Sequence, residues 1–202
     1  MEFVYVPNRC HLFDLEFPHG FHRLAEEELR RKYLDRIDKD GFFAERRHCE
    51  TDSSFKQIIP YTILSQGERV FLLKRFSSQG ESRLHNKLSI GVGGHINPVD
   101  GVENQLEEGC RRELTEELEI GEEFLPRPVG IINDDSNGVG SVHFGIVHHL
   151  RLEKGCVAVR ETEMMEGSFV PVQELKRLAE EPTSNFETWS SLIISGIDTI
   201  LG

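Results

Sequence analysis

Apolar positions along the chain follow two periods. Residues 58–64, 70–76, 88–92, 129–132, 142–152 and 169–172 are short runs rich in β-branched and aromatic side chains, and they predict strands. Ser65-Gln66-Gly67-Glu68 joins the first two as a hairpin with a glycine turn. Residues 157–159 read as a continuation of the hairpin that 142–152 begins. Elsewhere the repeat is four. Ala25, Leu29, Tyr33 and Ile37 predict a helix over 24–37, ended by Asp40-Gly41. Leu106, Cys110, Leu114 and Leu118 predict a helix over 106–118, a stretch without proline. Two more helices are expected at 172–180 and 186–201, separated by Pro182.

Before these elements, residues 3–6 read as a strand stopped by Pro7, and His19-Gly20-Phe21 as a turn. Phe42 and Phe43 then anchor the segment to the main body. Residues 1–54 therefore read as an N-terminal extension packed on a domain of residues 55–202, because their apolar side chains need a partner surface. Strands dominate the middle, with helices between and after them. That order predicts an α/β fold, an α/β/α sandwich around a mixed sheet.

The 202 residues are 38% hydrophobic and 29% charged, which suits a soluble globular protein. The net charge of −12 disfavours nonspecific nucleic-acid binding, which needs a basic footprint. A nucleotide substrate remains compatible, because a metal screens phosphate from carboxylates. No apolar run approaches membrane-spanning length, and the first residues lack the basic and apolar segments of a signal peptide. A cytoplasmic protein is the expectation. Cys10, Cys49, Cys110 and Cys156 form no C-x-x-C pair, so neither a zinc ribbon nor a disulfide framework is indicated.

The chemistry is concentrated in the predicted helix 106–118. Glu113, Glu116 and Glu117 stand at i, i+3 and i+4, so their carboxylates share a face turned away from Leu114 and Leu118. Three like charges on one face repel one another. A bound divalent cation turns that repulsion into coordination, since hard cations prefer oxygen ligands. Gly93 and Gly94, upstream, let the backbone approach a ligand closely. The competing reading is a solvated acidic helix.

At these residues the chain resembles the Nudix hydrolase superfamily, whose signature reads G-x5-E-x7-R-E-U-x-E-E-x-G-U, with U aliphatic. Arg112, Glu113, Leu114, Glu116, Glu117 and Ile120 match its second half, and Gly93-Gly94 its start with a longer spacing. The signature's first glutamate falls at Asn104, with Glu103 one place early, and its late glycine is Glu119. The resemblance spans residues 55–202 and implies the same sandwich. It also implies cleavage of a phosphoanhydride bond in a nucleoside diphosphate linked to another group, with Mg²⁺ or Mn²⁺ as cofactor. Glu113 and Glu117 become the first ligand candidates, Glu116 the next, and the Gly93 carbonyl a further one. Glu163 lies where some members of the family add a glutamate from a later loop; a solvated acidic loop is the alternative.

Arg112 is placed to orient Glu116, its i+4 neighbour, unless it is an ordinary surface ion pair. Arg83, His85 and Lys87 form a basic cluster before the glycines, and Arg75 ends a strand nearby. Together they read as a phosphate clamp, or as a solvated loop. His95 and His143 are candidate substrate contacts, His143 also a candidate core residue. The altered loop half leaves a second function open, a nucleotide-binding sensor or regulatory module without catalysis. A homodimer also stays open.

Overall fold

The computed structural model describes residues 1–14, 16–76, 87–99, 102–160, 162–163 and 165–202. Strands β1 (Phe3–Val6) and β3 (Phe42–Glu45) pair antiparallel as a small sheet. Among the described residues eight strands form the main sheet. They are β2 (Gly20–Arg23), β4 (Gln57–Gln66), β5 (Arg69–Arg75), β6 (Leu88–Ser89), β7 (Gly91–Gly93), β9 (Arg127–Asn133), β10 (His143–Arg151) and β12 (Met165–Pro171). The order across it is β12-β5-β4-β10-β9-β2, with β6 on β5 and β7 on β4. β4 and β10 run parallel, with Gln57 opposite His143, and the other pairs are antiparallel. The sheet is therefore mixed, as the order of elements predicts.

Alternation along the central strands builds the layers. Ile58, Leu64, Phe144, Ile146 and Leu150 face one side; Tyr61, Ile63 and Val147 face the other. The first side is covered by helix α5 (Gln105–Glu117), through Leu106, Cys110 and Leu114, and by the helical segment that begins at Glu26. The second is covered by α6 (Val172–Glu180), α7 (Thr188–Ile194) and α8 (Asp198–Leu201), through Leu175, Ile193, Ile194 and Ile200. The result is the α/β/α sandwich. Among the described residues no helix is long and apolar enough to cross a membrane.

Several local expectations are corrected. Gly20 and Phe21, expected in a turn, belong to strand β2, whose Gly20 pairs with Asn133 at the edge of the main sheet. Residues 157–159, strand β11 (Val157–Val159), pair with β8 (Leu118–Ile120) and not with β10. The first long helix starts at Glu26, contains a π segment at Arg30–Leu34, and runs on to Asp40. The wider turn rotates the stripe, so Leu34 is buried and Tyr33 only partly so. Residues 186–201 contain two short helices in place of one, α7 ending before Ser195.

Candidate active site

Helix α5 begins at an N-cap, Asn104, whose side-chain oxygen accepts the Glu107 N–H at 3.0 Å. The residue at the signature's first glutamate is thus spent on capping. At the other end the helix passes directly into β8. Leu118 takes an extended conformation (φ −125°, ψ 150°), and Glu119 pairs with Ala158 across the β8–β11 ribbon. The position that carries the signature's late glycine is therefore a strand residue, and a side chain there is unhindered.

β7 hydrogen-bonds to β4, with Gly93 opposite Tyr61, and delivers Gly94 and His95 to the flank of α5. Glu113 lies against this turn. A Cβ built on Gly94 would stand 2.4 Å from Glu113 Oε2, so only glycine admits the carboxylate here. Arg112 spans the gap. Its Nη2 donates to the His95 carbonyl at 2.6 Å, to Glu113 Oε1 at 2.6 Å and to Asn97 Oδ1 at 3.3 Å. Its Nη1 donates to Glu116 Oε2 at 2.7 Å. Arg112 does hold Glu116, and it also holds Glu113 and the glycine turn.

The three carboxylates are not equivalent. The Glu113 and Glu117 side chains are 13% and 17% exposed, while Glu116 is 58% exposed. Burial raises the Glu113 carboxyl above its ordinary range; Arg112 opposes this, and the charge of Glu117 adds to it. Arg75, expected in the phosphate clamp, donates from Nη2 to Glu117 Oε1 at 2.8 Å. Among the described residues no three His, Cys, Asp or Glu side chains are grouped closely enough to hold a metal ion. The partly buried carboxylates Glu113 and Glu117, beside a glycine cradle, are the oxygen donors a hard divalent cation prefers, and Arg112 and Arg75 each pair with one of them. Glu163 is an exposed turn residue two places before Met165, which pairs with Arg75 at the end of β5.

Gly93, Gly94 and His95 line a cleft of about 1080 Å³, ample for a nucleotide-sized ligand. Lys87 lines it too, whereas Arg83 and His85 lie outside the described residues. Arg46, Glu50 and Thr51 enter the wall from the N-terminal segment. The loop between β9 and β10 forms another side, and a buried lysine anchors it. Lys56 Nζ donates to Asn133 Oδ1 (2.8 Å), Asp135 Oδ1 (2.6 Å), the Gly140 carbonyl (2.9 Å) and the His143 carbonyl (3.1 Å). Burial lowers its pKa to about 8 despite the neighbouring Asp135.

His95 and His143 meet in this cleft, with Nε2 to Nε2 3.1 Å. The Val139 carbonyl lies 2.7 Å from His143 Nδ1 and can only accept, so that nitrogen carries the proton. With the rings neutral, as their burial favours, His143 Nε2 accepts and His95 Nε2–H donates. Burial lowers His95 to about 3, helped by Arg46, His143 and Arg112, and burial lowers His143 as well. His148 is buried in the strand, and His149 Nε2 lies 2.7 Å from Ser65 Oγ, away from the cleft.

Sequence reasoning does not reach Tyr61 and Glu187, which line the cleft together with Trp189. Thr188-Trp189 reads in the sequence as packing the last helix onto the body, with base stacking by Trp189 the less favoured reading, and Trp189 does contact Tyr61 edge-on at 5.6 Å. The one signal for Lys56 is a lone charge opening an apolar strand.

A glycine turn, a helix of carboxylates with its arginine, and an adjoining cleft are thus brought together on a mixed sheet. The chain belongs to the Nudix hydrolase superfamily. It is 44% identical to Protein YmaB of Bacillus subtilis (strain 168) over 155 residues, 74% of each chain. Its fold is similar to that of Tm1382, assigned to the Nudix hydrolases, at a TM-score of 0.76 and 29% identity, covering 97% of this chain and 98% of that one. It is also similar to DR0079 from Deinococcus radiodurans, at a TM-score of 0.53 and 19% identity, covering 79% of this chain and 94% of that one. No protein-family model matches the chain.

Proposed function

We propose that this protein is a cytoplasmic, Mg²⁺- or Mn²⁺-dependent pyrophosphohydrolase acting on a nucleoside diphosphate-linked or related phosphoanhydride. The observation that carries the reading is the Glu113 carboxylate seated against Gly94, with Arg112 and Glu117 beside it and the cleft adjoining. Glu113 and Glu117 hold the divalent ion, with Glu116, the Gly93 carbonyl and Glu163 as further donors. When bound, such an ion screens phosphate charge and acidifies the attacking water. Arg112 orients Glu113 and fixes the His95 carbonyl, so ligand and glycine turn move as one body. Lys87 and Arg46 meet the phosphates, and Arg75 steers Glu117. His95 and His143 offer the substrate a neutral polar wall. Residues 1–54 act as an extension that completes the cleft through Arg46, Glu50 and Thr51.

Phosphate release from a panel of nucleoside diphosphate conjugates and triphosphates tests this. EDTA should abolish turnover, Mg²⁺ or Mn²⁺ should restore it, and Glu117→Gln should slow it by at least ~10²-fold, the order for losing a group that stabilises transition-state charge. Full activity in excess chelator overturns the mechanism. A second reading, binding without catalysis, is favoured by one observation. Asn104 stands where the signature has a glutamate, and it caps the helix. Binding without turnover across the panel selects it.

A further inference from the structure

The cleft also holds a carboxylate that the hydrolytic reading does not use. Glu187 immediately precedes α7, yet its side chain caps none of that helix's amides. Its Oε1 instead faces three hydroxyls, those of Tyr61, Ser89 (2.6 Å) and Ser190 (2.9 Å). The Ile90 N–H fills a lone pair on Ser190, which leaves that serine's proton for the carboxylate, while Ser89 accepts from the Gly91 N–H and shares its single proton between Glu187 Oε1 and the Gly91 carbonyl (2.8 Å). Burial and the Glu187 charge hold the Tyr61 hydroxyl well above its ordinary pKa, so it too remains a donor. Strands β4 and β6 and helix α7 thus each fix one partner of the same oxygen. The other oxygen, Oε2, accepts nothing from the described residues, and Glu187 lines the cleft.

Beside it stands a flat apolar wall. The Trp189 indole packs at 81° to the Tyr61 ring and over Gly145, where a Cβ would come within 2.8 Å of the indole. A rigid acceptor next to a flat ring repels phosphate. It also suits a ribose diol poorly, because a diol engages a carboxylate best through both oxygens, and one is already filled. What it fits is a planar heterocycle with an N–H donor on its edge.

We propose that Glu187, held by Tyr61, Ser89 and Ser190 beside Trp189, is the specificity-determining acceptor that selects an amino-substituted nucleobase. The assignment rests on the nucleotide-hydrolase reading for its substrate class. It is tested with nucleoside monophosphates, which have no phosphoanhydride to cleave. Calorimetric titration compares AMP with purine riboside 5′-monophosphate, and GMP with IMP, on the full-length protein. In at least one pair the amino-bearing base should bind about 10-fold tighter or more, as expected where a site's buried acceptor would otherwise go unpaired. Glu187→Gln should bring that ratio below about 3-fold. Tyr61→Phe, which keeps the ring and removes one donor, should lower it part of the way and serves if Glu187→Gln does not fold. Equal binding within both pairs, a ratio preserved in both variants, or no measurable binding of any of the four overturns the subsite. Phosphate release from base-free phosphoanhydrides, assayed separately, distinguishes the two claims. Turnover without base selectivity removes the subsite and leaves the hydrolase; selectivity without turnover does the reverse.

Discussion

Arg112 ties the glycine turn to the carboxylate helix, and removing it gives a measurement that needs no substrate. Arg112→Met keeps the aliphatic stem and deletes the guanidinium. Two of the lost contacts are largely buried, to the His95 carbonyl and to Glu113, both at 2.6 Å. Hydrogen bonds to charged groups contribute about 1.5–3 kcal/mol each. The Glu116 contact adds about 0–1 kcal/mol, because that carboxylate is 58% exposed and screened. Relief of the cost of desolvating Arg112 itself offsets part of the total, which leaves roughly 3 kcal/mol. For a chain of this size that corresponds to a fall of about 6–12 °C in melting temperature. Arg112→Lys should fall between, since a single ammonium cannot serve acceptors on both sides of the fork. The assay is thermal unfolding in EDTA and again with Mn²⁺. With the arginine gone, Glu113 and Glu117 face each other with less compensation, so Mn²⁺ should raise the melting temperature of Arg112→Met by more than that of the wild type. An unchanged melting temperature in EDTA would show that Arg112 is a solvated surface charge. Equal Mn²⁺ shifts would show that it does not share the carboxylates with a cation.

Three further outcomes are expected. Gly94→Ala should cost little stability, because its Cβ meets the flexible end of Glu113, but it should displace that carboxylate and cut turnover by at least ~10-fold; normal turnover would separate Glu113 from the reaction. His148 is buried and held near pH 4, so below about pH 6.5 the unfolded chain takes up a proton that the folded chain refuses. Stability should therefore drop by on the order of 3 kcal/mol between pH 6.5 and 4, and His148→Leu should flatten that slope in urea titrations; identical slopes would refute the assignment. Glu163→Gln should weaken the response of turnover to Mg²⁺ without lowering the melting temperature of the metal-free protein, while Glu103→Ala, at an exposed bend, should leave turnover near normal; the opposite pattern would mean that the longer loop restores the signature's first glutamate.

What the sequence makes legible here is what depends on neighbours along the chain. The i, i+3, i+4 spacing puts Glu113, Glu116 and Glu117 on one face of α5, and the four-residue repeat buries Leu106, Cys110 and Leu114 on the other. Strand positions follow from β-branched runs for the same reason. Pairing is different, because a hydrogen-bond ladder is chosen by residues far apart in sequence. Nothing local says that Gly20–Arg23 adds to Arg127–Asn133, or that Val157–Val159 leaves β10 for Leu118–Ile120. That second pairing accounts for Glu119, since a chain that runs straight from helix into strand has no use for a helix-ending glycine. The Glu187 cluster is the limiting case. Tyr61, Ser89, Glu187 and Ser190 come from three separate elements, and each alone reads as a strand or helix residue. Their meaning arises only when three hydroxyls converge on one carboxylate oxygen. The carboxylate half of the candidate site is thus encoded within one helix, and the Glu187 cluster is assembled only when separate strands and a helix meet.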